Sequence, residues 1–181
     1  MRRLTLLLAV LAAPAAAQGW FLHPFGELRA YHGDFLSVCA DDGAGPCRTV
    51  QTYADPGSEA FFDTRLAVHR LDVSPGWVVE IMDRGMPDRV DTLRVTIDGE
   101  VWDVAPEARR RGGHDLAGVA ETVTITGAAL NAALVAAMRA GNRMTVRYAP
   151  ESGGDGEARF SLRGFTAATD AIDARALPRE E

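Results

Sequence analysis

"DTLRVTIDGEVWDV", residues 91–104, decides the fold class. Leu93, Val95 and Ile97 alternate with Thr92, Arg94 and Thr96, the period-two pattern of a strand with one buried face. Asp98-Gly99 follows, a dipeptide that two-residue type I′ turns prefer because both central positions need positive φ. Glu100–Val104 then returns. The stretch predicts an antiparallel hairpin with a one-sided apolar face, and such a face needs a second layer to cover it.

Towards the N-terminus the same reading continues. "WVVEIM" (77–82) is a short, mostly buried strand after a turn at Ser74-Pro75-Gly76. "FFDTRLAVHRL" (61–71) alternates, with Phe62, Thr64, Leu66 and Val68 on one face and Asp63, Arg65, Ala67 and His69 on the other, which puts His69 towards solvent. Asp34–Cys39 and Cys47–Tyr53 read as two strands around the turn-rich "DDGAGP" (41–46). Gln18–His32 is aromatic and broken by Gly and Pro, and reads as an extended lead-in.

Towards the C-terminus, "PEARRRGGHDLAG" (106–118) breaks the alternation and reads as a solvated loop, and "ETVTIT" (121–126) is a further strand. "TGAALNAALVAAMRAGN" (126–142) is a long helix with Leu130, Leu134, Val135 and Met138 as its apolar stripe, Thr126 as cap and Gly141 as a left-handed stop. "RMTVRY" (143–148) is a strand with Met144, Val146 and Tyr148 inward, and "RFSLR" (159–163) pairs back on it. "GFTAATDAIDARA" (164–176) reads as a short amphipathic helix carrying Phe165, Ala168 and Ile172. The expected architecture is mainly β, or α+β: a single antiparallel β-sandwich or curved sheet with one long helix and one short C-terminal helix. No repeat or linker divides residues 18–181.

Residues 1–17, "MRRLTLLLAVLAAPAAA", have two arginines, an apolar run too short to span a bilayer, and small residues in an A-x-A arrangement. That is the pattern of a secretory signal peptide cleaved near Ala17, and no later run is long and apolar enough for a transmembrane segment. The expected location is the periplasm or the exterior. Cys39 and Cys47, the only cysteines, then read as a disulfide. No His stands near them for a zinc set, and their spacing is not that of a redox dithiol.

The formal net charge of −6 becomes −8 once Arg2 and Arg3 leave, which disfavours nucleic acid as a partner. There is no nucleophile elbow, phosphate-binding loop, dinucleotide fingerprint or zincin motif. His23, His32, His69 and His114 are scattered, and His114-Asp115 are too close in sequence to face each other as an acid/base couple. Asp41-Asp42, and Asp155 with Glu157, lie in Gly-rich loops that read as turn chemistry rather than calcium ligands. Trp20, Trp77 and Trp102 are candidate binding aromatics, Trp77 fitting the core better. Arg94, Arg143, Arg147, Arg159 and Arg163 fall on polar faces of predicted strands. Were those strands neighbours, the arginines would form a candidate anion-binding face, against the plainer reading of solvated ion pairs. Neither a metal nor a cofactor is expected, and no catalytic residue is assigned.

Two stretches resemble a known family. "GDFLSVCADDGAGPCRTVQ" (33–51) is similar to the Gly-Asp-Trp…Cys…Cys-Arg…Gln start of the invasion-associated locus B family of exported proteobacterial proteins. "FSLRGFTAATDAID" (160–173) is similar to its Ser-Leu-Lys-Gly-Phe-Thr-Ala-Ala ending. "LAVHRL" (66–71), "TLRVTIDG" (92–99) and the Ala-rich helix fit between them. Phe35 stands where the family has Trp, and Arg163 where Lys is usual. The resemblance implies a small periplasmic or envelope protein with no agreed catalytic residues. The expected function is non-enzymatic binding of an unknown protein or small molecule in the cell envelope. The alternative is a periplasmic enzyme or anion-binding protein built on the Arg-rich face.

Overall fold

A computed structural model describes residues 19–71, 76–86, 90–113, 122–149 and 154–176. The strands are β1 (Phe21–His23), β2 (Glu27–His32), β3 (Phe35–Cys39), β4 (Cys47–Tyr53), β5 (Thr64–Arg70), β6 (Trp77–Asp83), β7 (Thr92–Ile97), β8 (Glu100–Asp103), β9 (Arg109–Arg111), β10 (Thr122–Ile125), β11 (Arg143–Ala149) and β12 (Gly156–Ser161). The helices are α1 (Ala128–Ala140) and α2 (Phe165–Ala176). Eight strands form one sheet in the order β1-β2-β3-β4-β5-β6-β10-β9, and four form a second in the order β12-β11-β7-β8. Every pairing is antiparallel. The mainly β sandwich with one long and one shorter C-terminal helix is therefore the observed architecture.

The inner faces share one core. Leu66, Val68, Val79, Ile81, Val123 and Ile125 of the large sheet join Leu93, Val95, Ile97, Met144, Val146 and Phe160 of the small one. The helices complete the layer, α2 over β2–β4 and α1 over β6. The Tyr148 hydroxyl donates to Asp83 Oδ2 at 2.9 Å and ties one sheet to the other. Burial and the Asp83 carboxylate hold that hydroxyl protonated well above its ordinary range.

The 91–104 hairpin forms as its sequence demands. Asp98 and Gly99 take φ of 46° and 99°, and β7 pairs β8 from Ile97↔Glu100 outward. Asp98 also accepts hydrogen bonds from the backbone N–H groups of Asn142 (2.7 Å) and Arg143 (3.0 Å), so the turn is pinned to the end of α1.

Four local expectations are corrected. The lead-in 18–32 contains a hairpin: the Pro24–Gly26 turn lets β1 and β2 pair and extend the large sheet. The loop 106–118 contains a 3₁₀ turn at Pro106–Ala108 and then β9, which pairs β10 at the sheet edge. Three consecutive arginines carry no apolar alternation, so nothing in the side chains announced that strand. Residues 114–118 of that loop, His114 included, lie outside the described residues, as do the signal segment and positions 74 and 75 of the 74–76 turn. Helix α1 begins after Gly127 with no side-chain cap, so Thr126 does not cap it. Gly141 has φ −94° and ψ 175°, which is not left-handed. Space requires glycine there, because a Cβ would lie 2.7 Å from Ile97 Cγ2.

Helix α1 is fastened by a residue the sequence did not single out. Asn131, fully buried, accepts from Val79 N–H at 3.0 Å and donates to Ile125 C=O at 2.8 Å. Its amide splices into the β6–β10 ladder one step beyond the last paired residues and satisfies two buried backbone groups.

Candidate functional site

The two family-like stretches meet in space. Asp34 N–H donates to Arg163 C=O at 3.0 Å, and the Arg163 guanidinium bonds the Asp34 carboxylate. Gln51 Nε2 donates to Ser161 C=O at 3.0 Å. Phe35 meets Phe165 edge to face, with ring centroids 5.2 Å apart. Gly33 and Gly164 face each other so closely that a Cβ on Gly164 would lie 2.0 Å from His32 C=O. This junction docks the β2–β3 hairpin on the β12–α2 corner; it holds the fold, and Gly33, Asp34, Phe35 and Gln51 also border a hollow on the large sheet.

Cys39 and Cys47 are register partners on β3 and β4, disulfide-bonded, with Cα atoms 4.1 Å apart. Asp41 and Asp42 lie between them with left-handed backbones and shape the turn. Among the described residues no group of three or more His, Cys, Asp or Glu is placed to hold a metal ion. Trp77 packs at the core margin under the guanidiniums of Arg70 and Arg139, Trp102 packs against the core, and Trp20 lies under Arg175.

Arg94, Arg143, Arg147 and Arg159 share the outer face of the small sheet, whereas Arg163 lies beyond β12 and turns to Asp34. Arg94 Nε bonds Asp103 at 2.7 Å, and Arg147 Nε bonds Glu157 at 2.6 Å. Arg159 takes the other Glu157 oxygen, and the two guanidiniums hold this carboxyl below its usual range. Arg143, Arg147 and Arg159 flank a shallow groove of about 720 Å³.

The outer face of the large sheet is different in kind. Register places Arg29, Val38, Arg48 and His69 in one row across β2–β5, and Tyr31, Leu36, Val50 and Ala67 in the next. A row with two arginines thus runs beside an apolar one. The face dips into a hollow of about 580 Å³ whose rim includes Phe61 and Phe62. Glu27 is shared at one end by Arg29 Nε (2.9 Å) and Arg48 Nη2 (3.5 Å). Burial pushes the Glu27 carboxyl up, but the two arginines outweigh it and the net shift is downward. Under the other end Arg65 is buried and bonds Glu80 at 2.7 Å.

His69, expected on a solvent face, is only 5% exposed. Its Nε2 lies 3.6 Å from Glu80, which sits between it and Arg65. Alternation identified its face correctly, but this face of a central strand is covered rather than wetted.

Phe61 is 94% exposed, yet its loop has a fixed shape. Asp63, buried behind it, accepts from Asp55 N–H (2.7 Å), Ser58 Oγ (2.9 Å) and Arg84 Nη1 (3.1 Å). Those donors, the Asp55 N–H first, hold the carboxyl below its usual range. An exposed aromatic on a pre-shaped loop loses little entropy when it engages a ligand. Glu27, Arg29, Tyr31, Arg48 and Phe61 were not picked out from the sequence, and Phe62, expected on the face of Leu66 and Val68, instead borders the hollow because β5 begins only at Thr64. The alternation of "ELRAYH" marks a strand, but only tertiary pairing joins it to residues 61–65.

Residues 120–173, from β10 through most of α2, match the family model described as Invasion associated locus B (IalB) protein. Over these residues the chain is similar to the invasion-associated locus B family. The crystal structure of invasion associated protein B from Bartonella henselae has a similar fold, with a TM-score of 0.56 over 81% of this chain and 96% of that one. The identity is 16%, so the likeness is one of fold. No curated protein matches the chain. The invasion-associated locus B match covers the helix-bearing C-terminal part, whereas the aromatic hollow is built from residues 27–65, outside it.

Proposed function

We propose that this chain is an exported, non-enzymatic binding module of the cell envelope, and that the outer face of its large sheet is the recognition surface. The observation that carries this reading is the hollow itself: exposed aromatics beside arginines whose carboxylate partners are held in ion pairs. Such carboxylates are poor general bases, while aromatic and arginine side chains are the types enriched where partners dock. The leader-like residues 1–17, the disulfide and the invasion-associated locus B match support export. Among the described residues no helix is long and apolar enough to cross a membrane.

The test is recovery of the tagged protein from the envelope fraction, followed by cross-linking and native mass spectrometry. A bound molecule or partner retained by the wild type and lost from Phe61→Ser is the expected result. A partner retained equally by Phe61→Ser and Arg29→Gln places recognition elsewhere and overturns the assignment of this face.

A second reading rests on the small sheet, where Arg143, Arg147 and Arg159 surround the single carboxylate of Glu157. That excess of guanidinium favours an anion. Phosphate or sulfate binding lost from Arg143→Gln/Arg147→Gln would support it, and unchanged binding would remove it.

A further inference from the structure

The hollow on the large sheet is graded from end to end, and its grading names a ligand class. Along β4, Arg48, Val50 and Thr52 point to this face. Four residues of strand span about 13 Å. At the Arg48 end stands Arg29, which is 20% exposed. Arg29 directs Nε and Nη2 at Glu27. A guanidinium has five N–H donors, so Arg29 keeps donors for a second carboxylate. The middle is lined by Leu36 and Val50, with Tyr31 alongside. The far end is walled by Phe61 and Phe62, whose rings meet edge to face at 5.9 Å on the loop that Asp63 holds in shape. Arg65 and Asp34 also border this end, Arg65 in an ion pair with Glu80 and Asp34 in one with Arg163. A volume of about 580 Å³ falls in the range of small-molecule sites.

Resting on the reading of this face as the recognition surface, we infer that the hollow takes a free medium-chain alkyl carboxylate. The carboxylate lies on Arg29 beside Arg48. The alkyl chain follows β4 over Leu36 and Val50 and ends against Phe61 and Phe62. A neutral alcohol of the same length gains the apolar contacts without the ion pair. A cationic amphiphile is repelled at the arginine end. Charge sign therefore separates this proposal from nonspecific apolar adsorption.

The experiment is calorimetric titration of the oxidised, processed protein with decanoate and decyltrimethylammonium below their micellar concentrations and 1-decanol below its solubility limit. Chemical-shift mapping of backbone amides accompanies it. Decanoate is expected to bind and to shift amides of β2–β4 and of the loop 54–63. Decanol is expected to bind at least about tenfold more weakly, the scale of one charge-assisted hydrogen bond, and the cation not at all. Arg29→Gln should lose about as much as decanol does, while Arg110→Gln, an exposed site on β9 at the opposite edge of the large sheet, should change nothing. Phe61→Ser, an exposed site whose replacement leaves the core untouched, should weaken decanoate binding without altering the melting temperature. No decanoate binding, equal binding of all three probes, or full affinity in both Arg29→Gln and Phe61→Ser overturns the inference. An envelope partner that cross-links to this face while decanoate fails would overturn the ligand class alone. Loss of both would overturn the face.

Discussion

Gly33 and Gly164 are each other's steric requirement. A Cβ on Gly33 would lie 2.7 Å from Arg163 C=O, and one on Gly164 would lie 2.0 Å from His32 C=O. Both have positive φ, 60° and 92°. Around them Asp34 pairs with Arg163, 129 positions away, and Phe35 meets Phe165, so the N-terminal hairpin closes onto the C-terminal corner.

Gly164→Ala should therefore be among the most damaging small substitutions in the chain, costing on the order of 3 kcal/mol from clash and strained backbone together. Gly57 also has positive φ (85°), but nothing lies within 4 Å of its would-be Cβ. Gly57→Ala should cost only about 1–2 kcal/mol. Chemical denaturation of both variants decides the matter, and equal losses would show that the close approach contributes nothing.

Breaking the disulfide with Cys39→Ser and Cys47→Ser should cost about 2–3 kcal/mol by loop closure, a fall of roughly 5–10 °C in Tm. The fold should persist, because the β3–β4 pairing around it belongs to a continuous sheet. Circular dichroism and thermal melting test this. Free-thiol titration of the exported protein should find none, and two reactive thiols would contradict the staple.

Asn131→Leu keeps the volume but removes both amide contacts, stranding Val79 N–H and Ile125 C=O in the core. Two buried unsatisfied groups should cost about 2–5 kcal/mol. The Val79 amide should lose hydrogen-exchange protection more than the centre of β5 does. Uniform loss across the sheet would mean that the helix fails to dock rather than that a ladder splice is lost.

Acid should destabilise the protein late. The Asp34 carboxyl is held low by Arg163 and then Ser161, that of Asp63 by the Asp55 N–H and then Ser58, and that of Asp98 by the Asn142 N–H. Depressed carboxyl groups stabilise fully above their unfolded pKa of about 4 and lose that contribution as pH falls through the lower folded values. Burial also holds the His32 imidazole below its ordinary range, so the stability of its neutral form is lost as pH falls through about 6.5. Tm should decline slightly from about pH 7 to 5 and fall steeply below about pH 4. Asp63→Asn should start lower and show a shallower acid limb. A Tm that rises between pH 5 and pH 3 would reverse the sign and refute the assignment.

Local chemistry was legible in the chain before any coordinates. Period-two apolar residues at 93, 95 and 97 with Asp98-Gly99 specified a hairpin because both signals act within a few residues. The same holds for the stripe of α1 and for the cysteines, which the 41–46 turn returns to within 4.1 Å between Cα atoms. What packs on a polar face is not a local property. His69 alternates as a surface residue should, yet it is buried, and Glu80, brought in by β6, lies 3.6 Å from its Nε2. The hollow joins Glu27 and Arg29 to Arg48, Phe61 and Phe62, residues that no short period connects. Asp34 and Arg163 meet only because two distant turns must pass with no side chain between them. Periodicity says which residues share a face; long-range pairing alone decides which faces meet, and here that meeting made the candidate site.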